Sequence, residues 1–537
     1  MFAVIRIGAG WSKIRILVNQ VAVDADKKTV KPRHQDGYVV AQTALLIIPL
    51  MIFAALAVDV GAWYRRAQQV QVGADSAALA GVPLLPNFAA AKALALETAA
   101  RNGFVDQPGC DGTVADCVPT SYPQVLVTRV GANRLEVTIF SSASVYLGQV
   151  VMSDDVAITR YARAEVTPPV PLGNPTSVLG GGAEDVVGST PNFWLRAMPE
   201  CEPRSTGDFI GSGGACIGNP NPNHRPEGHT FIVDVPVDGI YRVQARLTCA
   251  EFGGSQANAS MRFRLYDRDD TPYDDDDNVL QPPIAEQVIT RPDPAICPTD
   301  GSGWAPGADP APWVTISTVA EAGRFVLQAK NPDYTAARRS LYSLRVVPEV
   351  SDAACSRIGP SGSSGCPTIL GKDYLTSYTH AQMFSGGAVG QSQVYLAEII
   401  ESHAGNTLEI DLFDPADGLD EMRIVDPHGN YANLSWYTID CSDYGYACGR
   451  GDIGSRTNLR SQTCSGDPCL KQESGVSFQD RTVRVLIDLP GNYQCAEPAA
   501  EPANCWWKVE YRDDDTNANE TITWSARVLG DPVRLTE

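Results

Sequence analysis

Three patterns of hydrophobic and polar positions follow one another along the chain. From Val39 to Val58 the sequence VVAQTALLIIPLMIFAALAV runs for twenty residues without a charge. At about 1.5 Å rise per residue such a helix spans roughly 30 Å, the hydrocarbon thickness of a bilayer. This predicts a transmembrane helix over 38–60, with Pro49 tolerated inside it. Asp59 ends the run, and Trp63 and Tyr64 follow where aromatic rings favour the membrane interface.

The second pattern is mixed. Residues 60–82 continue the helix with small residues at Ala67, Gly73, Ala74, Ala77 and Ala78. Such spacing allows close helix approach. It suits either docking against other helices or packing on the chain's own domain, and the second is favoured. Asn87 is placed to cap a second helix that Gly103 would end. Alternating residues then predict strands at Gln124–Arg129, at Arg134–Phe140 with Leu135, Val137 and Ile139 on one face, and at Asp155–Val166. A short helix is expected over Ala143–Val151. Together residues 61–166 read as a small α+β membrane-proximal domain.

The third pattern is β throughout. Thr167–Gly182 (TPPVPLGNPTSVLGGG) has the composition of a Pro/Gly linker, covering 167–182. Beyond it lies an approximate duplication. MRFRLYDRDDTPYD (261–274) aligns with EMRIVDPHGNYAN (421–433), and Val314–Ala329 with Val483–Ala496. Each copy closes on a strand, at Ser343–Val347 and Ile522–Val528. Two β-sandwich modules are therefore expected, 183–350 and 372–537, with a linker at 351–371. The predicted fold class is a single-pass membrane helix plus a small α+β domain, then two mainly-β (β-sandwich or jelly-roll-like) modules.

Charge sharpens the topology. Residues 1–36 carry seven Lys/Arg against three Asp/Glu, while the whole chain has a formal charge of −21. The basic segment 1–37 thus reads as a cytoplasmic N-terminus, with Lys27, Lys28, Lys31 and Arg33 before the span and only Arg65 and Arg66 close after it. The strongly acidic remainder repels phosphate backbones, which excludes nucleic acid as a partner. Ala55-Leu56-Ala57 offers a signal-peptidase site as a second reading, but cleavage there would remove an unusually long leader.

All 14 cysteines follow residue 109 and form seven sequence-local couples. These are Cys110/Cys117, Cys201/Cys216, Cys249/Cys297, Cys355/Cys366, Cys441/Cys448, Cys464/Cys469 and Cys495/Cys505. An even number on one side of an apolar span, with none on the other, points to disulfides in an oxidising compartment. Zinc is the rival, but C-x2-C knuckles are missing and the six His are scattered.

The span and its C-terminal flank, GYVVAQTALLIIPLMIFAALAVDVG followed by RRAQQVQVGADSAALAGV, resemble the N-terminal anchor of TadG-like Flp pilus-assembly proteins. The matching residues are Gly37, Asp59, Gly61, Arg66, Gln71, Ala74, Asp75, Ser76, Ala77, Ala78, Leu79 and Ala80. Ala99–Phe104 (AARNGF) and Arg134–Phe140 (RLEVTIF) extend the likeness over roughly 37–165. It implies the membrane and the Tad/Flp pilus machinery or pilin proteins as partners. Two family features are missing. Gly37 is followed at its fifth position by Gln42 and not by the glutamate of prepilin processing sites, and no D-x-S-x-S metal motif is present.

Candidate chemistry is sparse. Asp267, Asp269, Asp270, Asp274 and Asp276 form the densest carboxylate cluster, with Asp275, Asp277 and Asn278 beside them. Hard oxygen ligands in β loops can hold Ca²⁺, so this is the candidate metal site, although EF-hand spacing is missing and a solvated acidic loop is the plainer reading. Smaller clusters lie at Asp411, Asp414 and Asp417, and at Asp513–Asp515 with Asn517. No catalytic residue is nominated. There is no G-x-S-x-G elbow, His224 and His229 lack an H-E-x-x-H frame, and Gly8-Ala9-Gly10 is half a dinucleotide fingerprint. No cofactor beyond Ca²⁺ is implied.

These readings lead to an expectation: an exported, membrane-anchored protein of pilus biogenesis or surface adhesion, with no enzymatic role. It would sit in the cytoplasmic membrane with its C-terminal part outside or in the envelope. The alternative is an adhesin with a surface ligand such as glycan, or an envelope scaffold, unrelated to pili. A secreted hydrolase is a third class, and no residue is nominated for it.

Overall fold

A computed structural model describes residues 36–85, 87–107, 122–130, 133–147, 155–175, 177–180, 193–197, 227–247, 260–268, 271, 276–290, 311–332, 340–349, 366–380, 391–414, 421–439, 463–464, 466–471, 481–496, 505–512, 519–530 and 533–536. The chain divides into two compact units, 1–65 with 144–156, and 66–143 with 157–537.

Helix α1 runs unbroken over Asp36–Gly81, through Pro49. A 3-10 turn (Val82–Leu84) leads to α2 (Phe88–Arg101). The Asn87 side chain accepts the Ala90 amide at 3.2 Å, satisfying one orphan donor of the first turn. Gly103 follows the helix at φ +87°, a conformation glycine adopts without a Cβ penalty.

Strands β1 (Gln124–Arg129), β2 (Arg134–Ala143) and β3 (Val156–Val166) form the sheet on which α2 rests. Leu135, Val137 and Ile139 are fully buried, as their alternation requires. The expected helix over Ala143–Val151 does not form at its described residues: Ser144–Leu147 are irregular, and the rest lies outside the described residues.

The β-rich part continues with β4 (Val178–Leu179), β5 (Trp194–Ala197), β6 (His229–Val235), β7 (Tyr241–Leu247), β8 (Ser260–Tyr266), β9 (Ala285–Thr290), β10 (Val314–Val319), β11 (Gly323–Lys330) and β12 (Ser340–Pro348). After these come β13 (Thr368–Gly371), β14 (Leu375–His380), β15 (Gln391–Glu398), β16 (Thr407–Asp414), β17 (Glu421–Val425) and β18 (Ser435–Ile439). Short β19 (Thr463–Cys464), β20 (Asp467–Pro468) and β21 (Leu470–Lys471) precede β22 (Arg481–Asp488), β23 (Trp506–Arg512), β24 (Asn519–Leu529) and β25 (Val533–Leu535).

The duplication is structural. In the first copy, one sheet carries the order β10-β7-β12-β5 and the other β6-β11-β8. In the second, the corresponding orders are β22-β16-β24-β14 and β15-β23-β17. The copies join at their sheet edges. β5 pairs antiparallel with β14 (Leu195 with Ser377, Trp194 with Tyr378), which makes one ten-stranded sheet.

The opposite sheets are linked by a reciprocal exchange. β13, which lies in the second half of the chain, pairs with β6 of the first copy. Conversely, Leu172 bridges Ala397 of β15 in the second copy and also Gly371. Backbone bonds secure both crossings: Gly173 N donates to Leu396 O at 3.3 Å, and Lys372 N to Thr230 O at 3.0 Å. An isologous junction of this kind is how two like modules pair edge to edge.

Residues from all four faces form one core, with Phe231, Phe263, Tyr342, Trp436, Trp507 and Trp524 in it. Phe193 meets Trp524 edge-on at 5.7 Å across the junction. A buried Arg484–Asp411 fork closes at 2.7 and 2.8 Å, so Asp411 is committed to an ion pair.

The last strand leaves this body. β25 pairs antiparallel with β3, so that residues 533–535 complete the sheet formed by β1, β2 and β3. Glu165 on β3, 1% exposed, lies 3.4 Å from both Arg134 of β2 and Arg534 of β25. A carboxylate that buried is tolerated because it is paired.

Candidate membrane anchor

The chemistry of the anchor begins with side-chain size along α1. Between Val39 and Val58 the large apolar residues face outward: Leu45 is 74% exposed, Leu50 69% and Phe53 71%. In water such a stripe would be strongly unfavourable, and it is what a helix surrounded by lipid presents. This is the one helix, among the described residues, long and apolar enough to cross a membrane. Thr43 returns its hydroxyl to Val39 O at 2.8 Å, which satisfies its polar group within the helix.

Past Arg66 the same helix becomes a packing element. Ala67, Val70, Ala74, Ala77 and Ala78 are buried, at the three- and four-residue spacing of one helix face. A Cβ at Gly73 would lie 2.6 Å from the Phe104 ring, so only glycine allows this approach. Arg66 spans the same region, with its Nη2 on Ser141 Oγ at 2.9 Å and its guanidinium 4.9 Å from the Phe104 ring centre. The small-residue face is thus occupied by the chain's own domain.

The polar residues of the motif have definite partners. Gln71 Nε2 donates to Asp75 Oδ1 at 2.8 Å and to Tyr161 O at 3.1 Å, tying α1 to β3. Leu79 and Ala80 are half-buried beside them, and Gly61 is exposed with open space around it. Asp59 is completely shielded from solvent. Its Oδ1 accepts the amides of Tyr146 at 3.0 Å and Leu147 at 3.1 Å, and its Oδ2 accepts that of Leu147 at 3.2 Å. Nothing in the sequence linked Asp59 to a loop 87 positions away. An aspartate directly after an apolar run was the only available signal. Gly37 lies in the first turn of α1.

Of the carboxylates proposed for Ca²⁺, Asp267 and Asp276 are described, and Asp269, Asp270 and Asp274 lie outside the described residues. Asp267 Oδ1 accepts the Arg268 amide, and Asp276 pairs with Lys372 Nζ at 2.5 Å. Among the described residues no three His, Cys, Asp or Glu side chains gather as a metal site.

Cys495 and Cys505 are joined in a disulfide, and Cys366 and Cys469 are also disulfide-bonded. Cys110, Cys117, Cys201, Cys216, Cys249, Cys297, Cys355, Cys441 and Cys448 lie outside the described residues. His229, weighed with His224 for a metal frame, is a buried β6 residue whose ring meets that of Tyr374 at a tilt, 5.5 Å between centres.

A cavity of about 490 Å³ opens among Pro83, Leu84, Thr167, Pro168, His403, Arg527 and Val533. Burial, with a smaller contribution from Arg534, lowers the His403 imidazole to about 4. It is therefore neutral near pH 7 and a weak base there, which suits packing better than proton transfer.

Residues 37–93, from the start of α1 into α2, match the family described as Flp pilus-assembly TadE/G-like. The matched segment contains the outward apolar stripe, Asp59, Gln71 and the buried alanine face. No curated protein matches the chain.

Proposed function

We propose that the protein is a single-pass component of Tad/Flp pilus biogenesis, held in the cytoplasmic membrane by α1, with its N-terminus in the cytoplasm and its β-rich part exported. One observation carries this reading: the TadE/G-like match falls on the helix whose apolar residues face outward. The basic flank before the span supports the orientation. The Cys495–Cys505 disulfide supports an oxidising setting for the C-terminal part. Its partners would be the membrane and the pilus machinery or pilin proteins. The reading assigns no catalysis and no obligatory cofactor, and Ca²⁺ at the Asp267–Asp276 loop would be accessory.

A second reading has its own support. Two copies of one strand order, fused through both sheets, make a β-rich body far larger than the matched segment. That suits an adhesin or envelope scaffold which uses the anchor without serving pili.

Deletion of the gene followed by shearing and quantification of surface pilin separates the two. The pilus reading expects loss of sheared pilin, restored by the full chain but not by one lacking residues 1–58. Unchanged pilin would leave the adhesin or scaffold reading in place.

A further inference from the structure

A carboxylate next to a membrane span is costly unless its charge is fully hydrogen-bonded. Asp59 immediately follows Val58, the last apolar residue of the run, and is shielded from solvent. It accepts three backbone contacts from the Ser144–Leu147 loop, at 3.0, 3.1 and 3.2 Å. The two amides need such an acceptor for the same reason, since backbone N–H groups near hydrocarbon find no water. Each side satisfies the other.

The bonds also fix depth. They tether the loop backbone to Asp59, the residue that directly follows the apolar run. Two neighbouring side chains of this loop face outward, Tyr146 at 62% exposed and Leu147 at 53%, while Val145 is buried and Ser144 is exposed. Tyr64 is 68% exposed at the next turn of α1, and Arg65 is exposed beside it. An aromatic and aliphatic pair level with the edge of a span, followed by a tyrosine and a cation, has the order of groups that the glycerol and phosphate layers of a lipid leaflet accept.

We propose that Asp59 clamps the Ser144–Leu147 loop so that Tyr146 and Leu147 enter the lipid interface beside the span, a second membrane contact from a distant part of the chain. The occupant is the bilayer itself, and the inference rests on α1 being membrane-inserted.

The test uses the full chain in phospholipid nanodiscs, with the photo-crosslinking amino acid p-benzoylphenylalanine placed at Leu147 or, as an exposed control, at Val237. Resistance to alkaline extraction from vesicles is read in parallel, so that failed insertion is distinguished from a misplaced loop. The proposal expects lipid adducts at 147 at least fivefold above those at 237. It expects Asp59→Ala, or the gentler Asp59→Asn if the first does not fold, to lower the adducts at 147 severalfold while extraction resistance is kept. Equal adduct yields at 147 and 237 in the otherwise native chain would overturn it, with no need of either Asp59 variant. Adducts at 147 unchanged in a folded Asp59 variant would overturn the clamp.

Discussion

The two halves of α1 are both poor in charge, yet they are built from residues of opposite size. From Val39 to Val58 the helix carries Leu, Ile, Met and Phe, and these stand outward. From Ala67 to Gly81 it carries mostly Ala and Gly on the face that is buried. Large side chains suit a surrounding that is itself fluid and apolar, where packing need not be specific. Small ones suit a fixed partner whose backbone and rings approach closely. The size of apolar residues along one helix therefore reports which surface each half meets.

Substitutions can break that contrast. The largest effect should come from Leu50→Arg, since a cation at the centre of a span costs about 3 kcal/mol on insertion scales. The fraction of protein resisting alkaline extraction should fall severalfold, with the melting of the β-rich part unchanged. Gly73→Leu should do the reverse. Its side chain would be driven into Phe104, at an expected cost of about 1–3 kcal/mol, read as a lower melting temperature with extraction unaffected.

Gln71→Ala sharpens the comparison within the packed half. It removes the bonds to Asp75 and Tyr161 O, and a loss of about 1 kcal/mol in chemical denaturation is expected. At the lower end, Leu46→Ile in the outward half should change neither reading by more than about 0.5 kcal/mol. If Leu46→Ile destabilised the fold as much as Gly73→Leu, the outward half would be packed on protein and the contrast would fail.

Much of this was legible in sequence because it is local. The uncharged run, the Asn87 cap and the alternation of Leu135, Val137 and Ile139 each state their structure within a few residues. The β duplication was legible too, since a strand running into an acidic turn recurs in both copies. What escaped depends on partners far apart in the chain. Val145, Tyr146 and Leu147 read as helix, but the acceptor that shapes them is Asp59. Similarly, a Pro/Gly stretch containing Leu172 gives no sign that it will bridge Ala397, nor do residues 533–535 that they will extend the sheet of β3. At the candidate Ca²⁺ loop, clustering of carboxylates in sequence does not say which cations they already meet. Asp276 meets Lys372.

The central claim is that α1 crosses the membrane once and places everything after it outside the cytoplasm. Protease treatment of intact spheroplasts carrying an epitope at each end of the chain tests this most directly. The account predicts that the C-terminal epitope is lost while the N-terminal one survives on a short membrane-bound fragment. Survival of the C-terminal epitope until the membrane is permeabilised would contradict it.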